Sequence, residues 1–342
     1  MSKKHMVIPV FIPHKGCPYD CIYCNQKAIS GQIEEMTVDK IRNIIETNLS
    51  NVKRDAYPEI GFYGGSFTGI DKELQIQYLS IANEYLERGN IKEIRLSTRP
   101  DYINEDILKT LKEYNVGTIE LGVQSMDDQV LIKSSRGHTA QDVVNASDLI
   151  KRAGIRLGIQ TMVGLPGSNR SRELETAEKV VELGPQILRI YPTLVIKGTF
   201  LEKLYSDGMY KPLELDEAVE TCAELLKVYS KNNINVIRIG LQPTDNINEN
   251  FDVLAGPFHP SFRQLVESKF MLNKIENYLW EYDLLKERDI IIYTGKENIS
   301  NIVGQRRENV RYLEKKYNFD KIRIRCKEGL KKEIFVKEVI KE

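Results

Sequence analysis

An α/β fold built on one parallel sheet is predicted for this chain of 342 residues by two observations. From the start to about residue 241, short β-rich runs alternate with stretches of helical periodicity, the pattern of repeated βα units. The length suits one barrel-sized domain with a small appendage. Seven strands are expected, at Met6–Ile12, Glu59–Tyr63, Glu93–Ser97, Thr118–Val123, Arg156–Val163, Ile187–Tyr191 and Asn235–Ile239. Helices are expected between them, at Val38–Leu49, Lys72–Glu87, Asp142–Arg152, Arg172–Leu183 and Asp216–Lys231. Parallel strands with right-handed crossovers close into a barrel or an open twisted sheet. In both, chemistry gathers in the loops after the C-terminal strand ends.

The composition excludes several classes. Forty-nine basic residues balance 49 acidic ones, so a nucleic-acid partner needs a local basic patch. The polar start, Met1 to His5, does not fit a signal peptide, and the apolar runs are too short for a membrane span. Three of the five cysteines crowd into eight residues, a poor disulfide framework and a good metal framework. A reducing compartment, most simply the cytoplasm, is expected.

That cluster, Gly16-Cys17-Pro18-Tyr19-Asp20-Cys21-Ile22-Tyr23-Cys24-Asn25, directly follows the first strand. Three thiolates at Cys17, Cys21 and Cys24 can wrap one face of an iron–sulfur cube and leave its fourth iron open. A zinc site closed by His14 is the alternative on spacing alone.

The Cys-x3-Cys-x2-Cys run with Tyr23 before its last cysteine resembles the radical S-adenosylmethionine (SAM) superfamily. The resemblance continues through Gly64-Gly65-Ser66-Phe67-Thr68, Ser97-Thr98-Arg99-Pro100-Asp101, Glu120-Leu121-Gly122-Val123-Gln124-Ser125, Ser135-Arg136-Gly137-His138-Thr139 and Gly158 to Gly167. With Arg189-Ile190-Tyr191-Pro192-Thr193-Leu194-Val195-Ile196-Lys197-Gly198-Thr199, it is nearest to the branch of the Elongator catalytic subunit, over residues 6 to 241. It implies a partial (β/α) barrel of six or seven parallel strands, a 4Fe-4S cluster on the three cysteines, and S-adenosyl-L-methionine on the open iron. Tyr23, Gly64, Gly65 and Ser66 would contact the cofactor, Ser97, Gln124, Arg136 and Gln160 lining its ribose and carboxylate. Read without the family, the glycine pair is an ordinary βα turn, Arg136 a solvated charge and the glutamines internal polar contacts.

The resemblance implies reductive cleavage of SAM to methionine and a 5'-deoxyadenosyl radical, with an external electron donor, followed by hydrogen abstraction. Proteins of that branch modify the wobble uridine of transfer RNA with an acetyl group delivered by a separate acetyltransferase domain. This chain has compact cysteine spacing and no length after the barrel for such a domain, so a transferase of the full Elongator type is not implied.

Residues 1–241 are thus read as the barrel, 242–288 as a loop and helix linker with a helix at Gln264–Leu285, and 289–342 as a small α+β unit. In this last unit the run Asn298 to Arg311, followed by the strand Lys321–Cys326, resembles the core of a KH domain, whose Gly-x-x-Gly turn clamps a nucleic-acid backbone. Arg307 replaces the second glycine. Arg306, Arg307 and Arg311, with Arg323 and Arg325, form a candidate RNA-binding patch; the plain alternative is a solvated face. His259 and Arg263 are candidate substrate contacts on a proline-rich loop, and Cys222 and Cys326 read as small buried residues. The function expected is a radical SAM enzyme that modifies a base of RNA, with transfer RNA as the partner; the alternative is a radical SAM enzyme with a small-molecule substrate, as in the coproporphyrinogen oxidase-like branch.

Overall fold

The computed structural model describes residues 4–12, 17, 21–25, 36–52, 56–241, 252–330 and 333–338. Contacts divide the chain into two compact units, Met1–Glu214 with Val228–Phe258, and Leu215–Lys227 with His259–Glu342.

The first unit is a seven-stranded, all-parallel sheet that curls into a half-barrel. Its strands are β1 (Lys4–Phe11), β2 (Ala56–Tyr63), β3 (Glu93–Thr98), β4 (Val116–Gln124), β5 (Arg156–Val163), β6 (Ile187–Pro192) and β8 (Asn235–Ile239), hydrogen-bonded in that order. The omitted β7 (Val195–Ile196) pairs antiparallel with β9 (Val253–Ala255), so the stretch read as loop also holds a short strand.

Helices link the strands: α1 (Val38–Ser50), α2 (Lys72–Glu87), α3 (Glu105–Glu113), α4 (Asp128–Lys133), α5 (Ala140–Arg152), α6 (Arg170–Leu183) and α7 (Phe200–Ser206), with α8 (Leu215–Lys231) divided between the units. Their starts follow side-chain caps: Asp71 accepts from Glu73 N and Leu74 N, Asn169 accepts from Arg172 N, and Thr139 with Asp142 makes a capping box. The structure adds α3, α4 and α7 to the helices expected from the sequence.

The alternation along each strand sorts side chains by face. Ile60, Phe62, Ile94, Leu96, Ile119, Leu121, Leu157 and Ile159 are wholly buried on the helix side. The opposite face carries Glu59, Tyr63, Arg95, Glu120, Gln160 and Arg189. The inside of the curl is therefore polar, where a closed barrel of this class is filled with aliphatic layers.

The second unit holds α9 (Phe262–Glu281), β10 (Asp289–Thr294), α10 (Ile299–Val303), α11 (Glu308–Tyr317), β11 (Lys321–Cys326) and β12 (Ile334–Glu338). Strand β10 lies between parallel β11 and antiparallel β12. Met271, Leu272, Ile275 and Leu279 of α9 share one core with Ile290, Ile292, Val310, Leu313, Ile322 and Val336. The helix assigned to a linker at 242–288 thus belongs to the core of this unit, because its apolar stripe has a sheet face to cover. At the α10–α11 turn, buried Asn309 donates through Nδ2 to Ser268 O and Asn301 O, both at 3.0 Å. Cys222 is buried as expected, whereas Cys326 is exposed, being the last residue of an edge strand.

Leu96 sits at the centre of the helix-side core. Leu96→Ala should cost roughly 2–5 kcal/mol, read as a lower urea midpoint at unchanged m value.

Candidate active site

The loop that follows β1 brings its cysteines to the C-terminal edge of the sheet and is tied there by hydrogen bonds. Ile22 N donates to Ser134 O at 3.3 Å, Leu201 N donates to Ile22 O at 2.7 Å, and Asn25 Nδ2 donates to Lys197 O at 2.9 Å. Ile22 and Tyr23 pack with Val195, Leu201 and Tyr210. Cys21 is buried, Cys17 and Cys24 are half-buried, and Cys24 N donates to Cys21 O at 2.9 Å. Among the described residues no three or more Cys, His, Asp or Glu side chains are gathered closely enough to hold a metal ion. His14 lies outside the described residues.

Two buried guanidiniums face these thiols. Arg136 is turned inward by Ser135, at φ 52°, and Gly137, at φ 74°. It donates from Nη1 to Cys21 Sγ at 3.2 Å and from Nη2 to Gly122 O at 2.5 Å. Its Nε is buried without a hydrogen-bond partner among the described residues. Burial works against its charge, but the neighbouring Tyr23, Cys21 and Cys17 hold its pKa above the usual range. Arg99 donates from Nη2 to Arg136 O at 2.6 Å and pairs with Asp101 at 2.9 Å. Burial raises the Cys17 thiol, while Arg99 and Arg136 pull it down. The adjacent His138 senses the same field: burial first, then Arg136 and Arg99, push it down to about 3. The site is thus a desolvated positive pocket around thiols, which suits an anionic thiolate-bound group.

The remaining expected residues come to the same edge. Gly64, at φ 102°, turns the chain out of β2, and a Cβ there would stand 2.9 Å from Ile12 O. Gly65 lines a small hollow with Tyr63, Ser66 and Ser97. Ser66 is committed internally: its Oγ accepts from Arg99 N at 3.0 Å and meets Thr98 Oγ1 at 3.0 Å. Ser97 Oγ lies 3.5 Å from Phe62 O. Gln124, at φ 70°, accepts through Oε1 from Gln160 Nε2 at 3.2 Å. His259 accepts at Nδ1 from Ser261 N at 3.0 Å, and Arg263 pairs with Glu267, so both have structural partners in the second unit.

Inside the curl lies a network that the sequence reading did not identify. Arg95 Nη1 pairs with Glu59 Oε2 and Arg95 Nε with Glu120 Oε1, each at 3.0 Å. Arg189 pairs with Glu120, donates to Tyr63 OH at 3.1 Å and lies 5.2 Å from the Tyr63 ring centroid. Tyr63 OH donates to Glu120 Oε1 at 3.2 Å, and burial and then Glu120 raise its pKa. Alternating charged residues on buried strands were the available signal.

A second unforeseen residue is Glu173, on the first turn of α6. Its Oε1 accepts from Gly164 N at 2.9 Å and Ser168 Oγ at 2.7 Å, holding the turn that leaves β5. Burial raises its pKa from 4.5 to about 7. The folded state then binds the proton more tightly than the unfolded chain, so this stability is present below pH 4.5 and is lost as pH rises towards 7. Glu173→Gln keeps the acceptor and removes the titration. The stability of the variant relative to the parent should rise by up to about 3 kcal/mol between pH 5 and pH 8. A difference independent of pH, in urea titrations at both values, would contradict this.

A family model for the radical SAM superfamily matches residues 11–180, and one for the radical SAM C-terminal domain matches residues 185–271. The tRNA uridine(34) acetyltransferase of Methanocaldococcus jannaschii is 34% identical over 128 residues, 36% of this chain and 24% of that protein. The protein of that name from Dehalococcoides mccartyi is 27% identical over 242 residues, 60% of this chain and 53% of that protein. Human Elongator complex protein 3 is 35% identical over 150 residues, 42% of this chain and 27% of that protein. The chain therefore spans about a quarter to a half of these relatives' length. The solved archaeal Elp3 of Methanocaldococcus infernus, lacking residues 1–46, shares the fold at TM-score 0.63 and 22% identity, over 80% of this chain and 64% of that one. Among the described residues, no helix is long and apolar enough to cross a membrane. Its two matched domains and its thiol-bearing half-barrel make this chain a radical SAM enzyme, a member of the radical SAM superfamily.

Proposed function

We propose that this enzyme modifies RNA, with a transfer RNA base as substrate, and that Cys17, Cys21 and Cys24 hold its 4Fe-4S cluster. The observation that carries the cluster assignment is the contact between Cys21 Sγ and the buried Arg136, at the edge where β2 to β5 deliver Gly64, Thr98, Gln124 and Gln160. A buried cation beside Cys21 and Cys17 would offset the negative charge of a group bound to the thiolates. The cluster and SAM together supply one-electron cleavage of a carbon–sulfur bond and, through it, hydrogen-atom abstraction.

This chain's own residues position and shield. Gly64 lets the exit of β2 pass tightly against Ile12 O, where a Cβ would collide, and Gln124 with Gln160 would present amides to a ribose. Arg136 would act on the thiolates and, through its unpartnered Nε, on the cofactor carboxylate. Tyr23 closes the pocket against water from the side of Val195 and Leu201.

The RNA part of the reading is supported by the names of the relatives, tRNA uridine(34) acetyltransferase and Elongator complex protein 3, and by the second unit. There a strand–helix–turn–helix–strand order places Gly304, Arg306 and Arg307 at the turn, with exposed Arg311 on α11. Arg306 and Arg307 both adopt left-handed backbone, at φ 48° and 63°. Such strain in non-glycine residues concentrates at functional turns.

Anaerobic reconstitution should give about four irons per chain and slow release of 5'-deoxyadenosine from SAM after reduction. Cys17→Ala, Cys21→Ala and Cys24→Ala should each abolish both, while Cys222→Ala and Cys326→Ala should not. Stoichiometric zinc without redox activity would overturn the cluster assignment. Replacing Arg306, Arg307 and Arg311 together by Ala should weaken tRNA binding and flatten its salt dependence, leaving 5'-deoxyadenosine release intact. No tRNA binding by the parent at low salt would turn the reading towards a small-molecule substrate.

A further inference from the structure

The outer face of the β11-β10-β12 sheet combines aromatic rings with basic side chains. Strand pairing sets Arg325, Tyr293 and Phe335 in one row, Arg323, Ile291 and Lys337 in the next, and Lys321 beside Asp289 in the third. These positions alternate with Ile290, Ile292, Ile322 and Val336, which fill the core on the helix side, so all of them project from the other face. Phe335 is 39% exposed, and Lys321, Arg325 and Lys337 are exposed.

The rings form a chain. Tyr293 and Phe335 have centroids 6.1 Å apart, Phe335 meets Tyr278 edge-on at 6.3 Å, and Tyr278 stacks on Tyr282 at 4.3 Å. Ammonium groups cap it: Lys337 Nζ lies 5.7 Å from the Tyr293 centroid and Lys327 Nζ 5.5 Å from that of Phe335. Buried Ile291 and half-buried Tyr293 hold the middle strand of this face, and a merely solvated face has no use for the exposed phenylalanine on the edge strand beside them. A ring row beside a line of cations every second residue matches unpaired bases beside their phosphates.

We propose that this sheet face is a stacking platform for single-stranded RNA, separate from the α10–α11 turn. It rests on the RNA reading above and specifies the state of the RNA: bases there are unpaired, as in a loop or a 3' end. Duplex RNA offers phosphates but hides the ring faces of its bases, so the rings discriminate and the cations hold.

The test uses the full chain with a labelled short oligouridylate and, as comparator, a duplex RNA of equal length, in anisotropy titrations across a salt series. The single strand should bind more tightly. Phe335→Leu or Tyr293→Leu should weaken it by about five- to a hundredfold, the loss of one stacked base. Arg325→Gln with Lys337→Gln should lower the salt slope by about 1.4, two phosphate contacts on a single strand. Both are exposed side chains, so this pair keeps the test alive if an aromatic variant fails to fold. A 4-thiouridine crosslink should fall on the peptide bearing Tyr293 or Phe335. Binding that survives all these variants, yet is lost on replacing Arg306, Arg307 and Arg311, removes the platform and leaves the RNA reading standing. Binding to neither RNA removes both. A concentration-dependent dimer dissolved by Phe335→Leu would assign the face to a second copy of the chain and also overturn the platform.

Discussion

Two arginines and two glutamates enclosed by the curled sheet govern what the rest of the barrel can do. Arg95 and Arg189 balance Glu59 and Glu120 in charge, and Glu120 joins both arginines to Tyr63. Each member alone would be a buried, unpaired charge, a penalty of about 3–5 kcal/mol when one partner of such a pair is lost. Together they let a polar lumen exist where aliphatic layers would otherwise stand. Room for them comes from glycines: a Cβ on Gly61 would meet the Tyr63 ring at 2.4 Å, and one on Gly158 would meet Glu120 Cγ at 2.9 Å. The same device serves the edge above, where a Cβ on Gly122 would stand 3.0 Å from Arg136 Nη2.

The charge balance differs between these two levels. The lumen network is internally neutral, whereas Arg136 at the edge has the thiols and a phenol as its nearby acidic groups. A desolvated cation there needs an anion, which the proposed cluster on the thiolates would provide. Both terminal nitrogens of Arg136 are engaged, by Cys21 Sγ and Gly122 O, and its Nε is buried with no hydrogen-bond partner among the described residues. Ser66 likewise spends its hydroxyl on joining the exits of β2 and β3, so its backbone, which neighbours Cys17, is what it offers the site.

In the second unit, the basic residues that the sequence presents as one patch divide between two surfaces. Arg306 and Arg307 occupy a strained turn beyond the helices that cover Ile290 and Ile292, while Arg323 and Arg325 stand on the opposite face of the sheet. A neutral whole-chain charge hides both. The division follows from the two-residue period of β11, in which Ile322 and Ile324 turn towards the helices and Lys321, Arg323 and Arg325 turn away.

The sequence by itself determined the parallel strands, the position of the cysteine loop after the first of them, and the β-strand exits on which the site is assembled. These are local signals, since strand and helix periods and turn glycines act over a few residues. Its motifs also single out Arg136, Gln124 and Gln160, whose contacts with Cys21, Gly122 O and one another exist only in the packed chain. Only the tertiary structure decided the lumen network, because Glu59, Arg95, Glu120 and Arg189 are far apart in the chain and become partners through the register of four strands. It likewise decided that α9 belongs to the second core, that Glu173 clamps the β5 exit, and that Cys326 is exposed. Burial and pairing are properties of a packed chain, and no periodicity along the sequence states which buried charge another will meet.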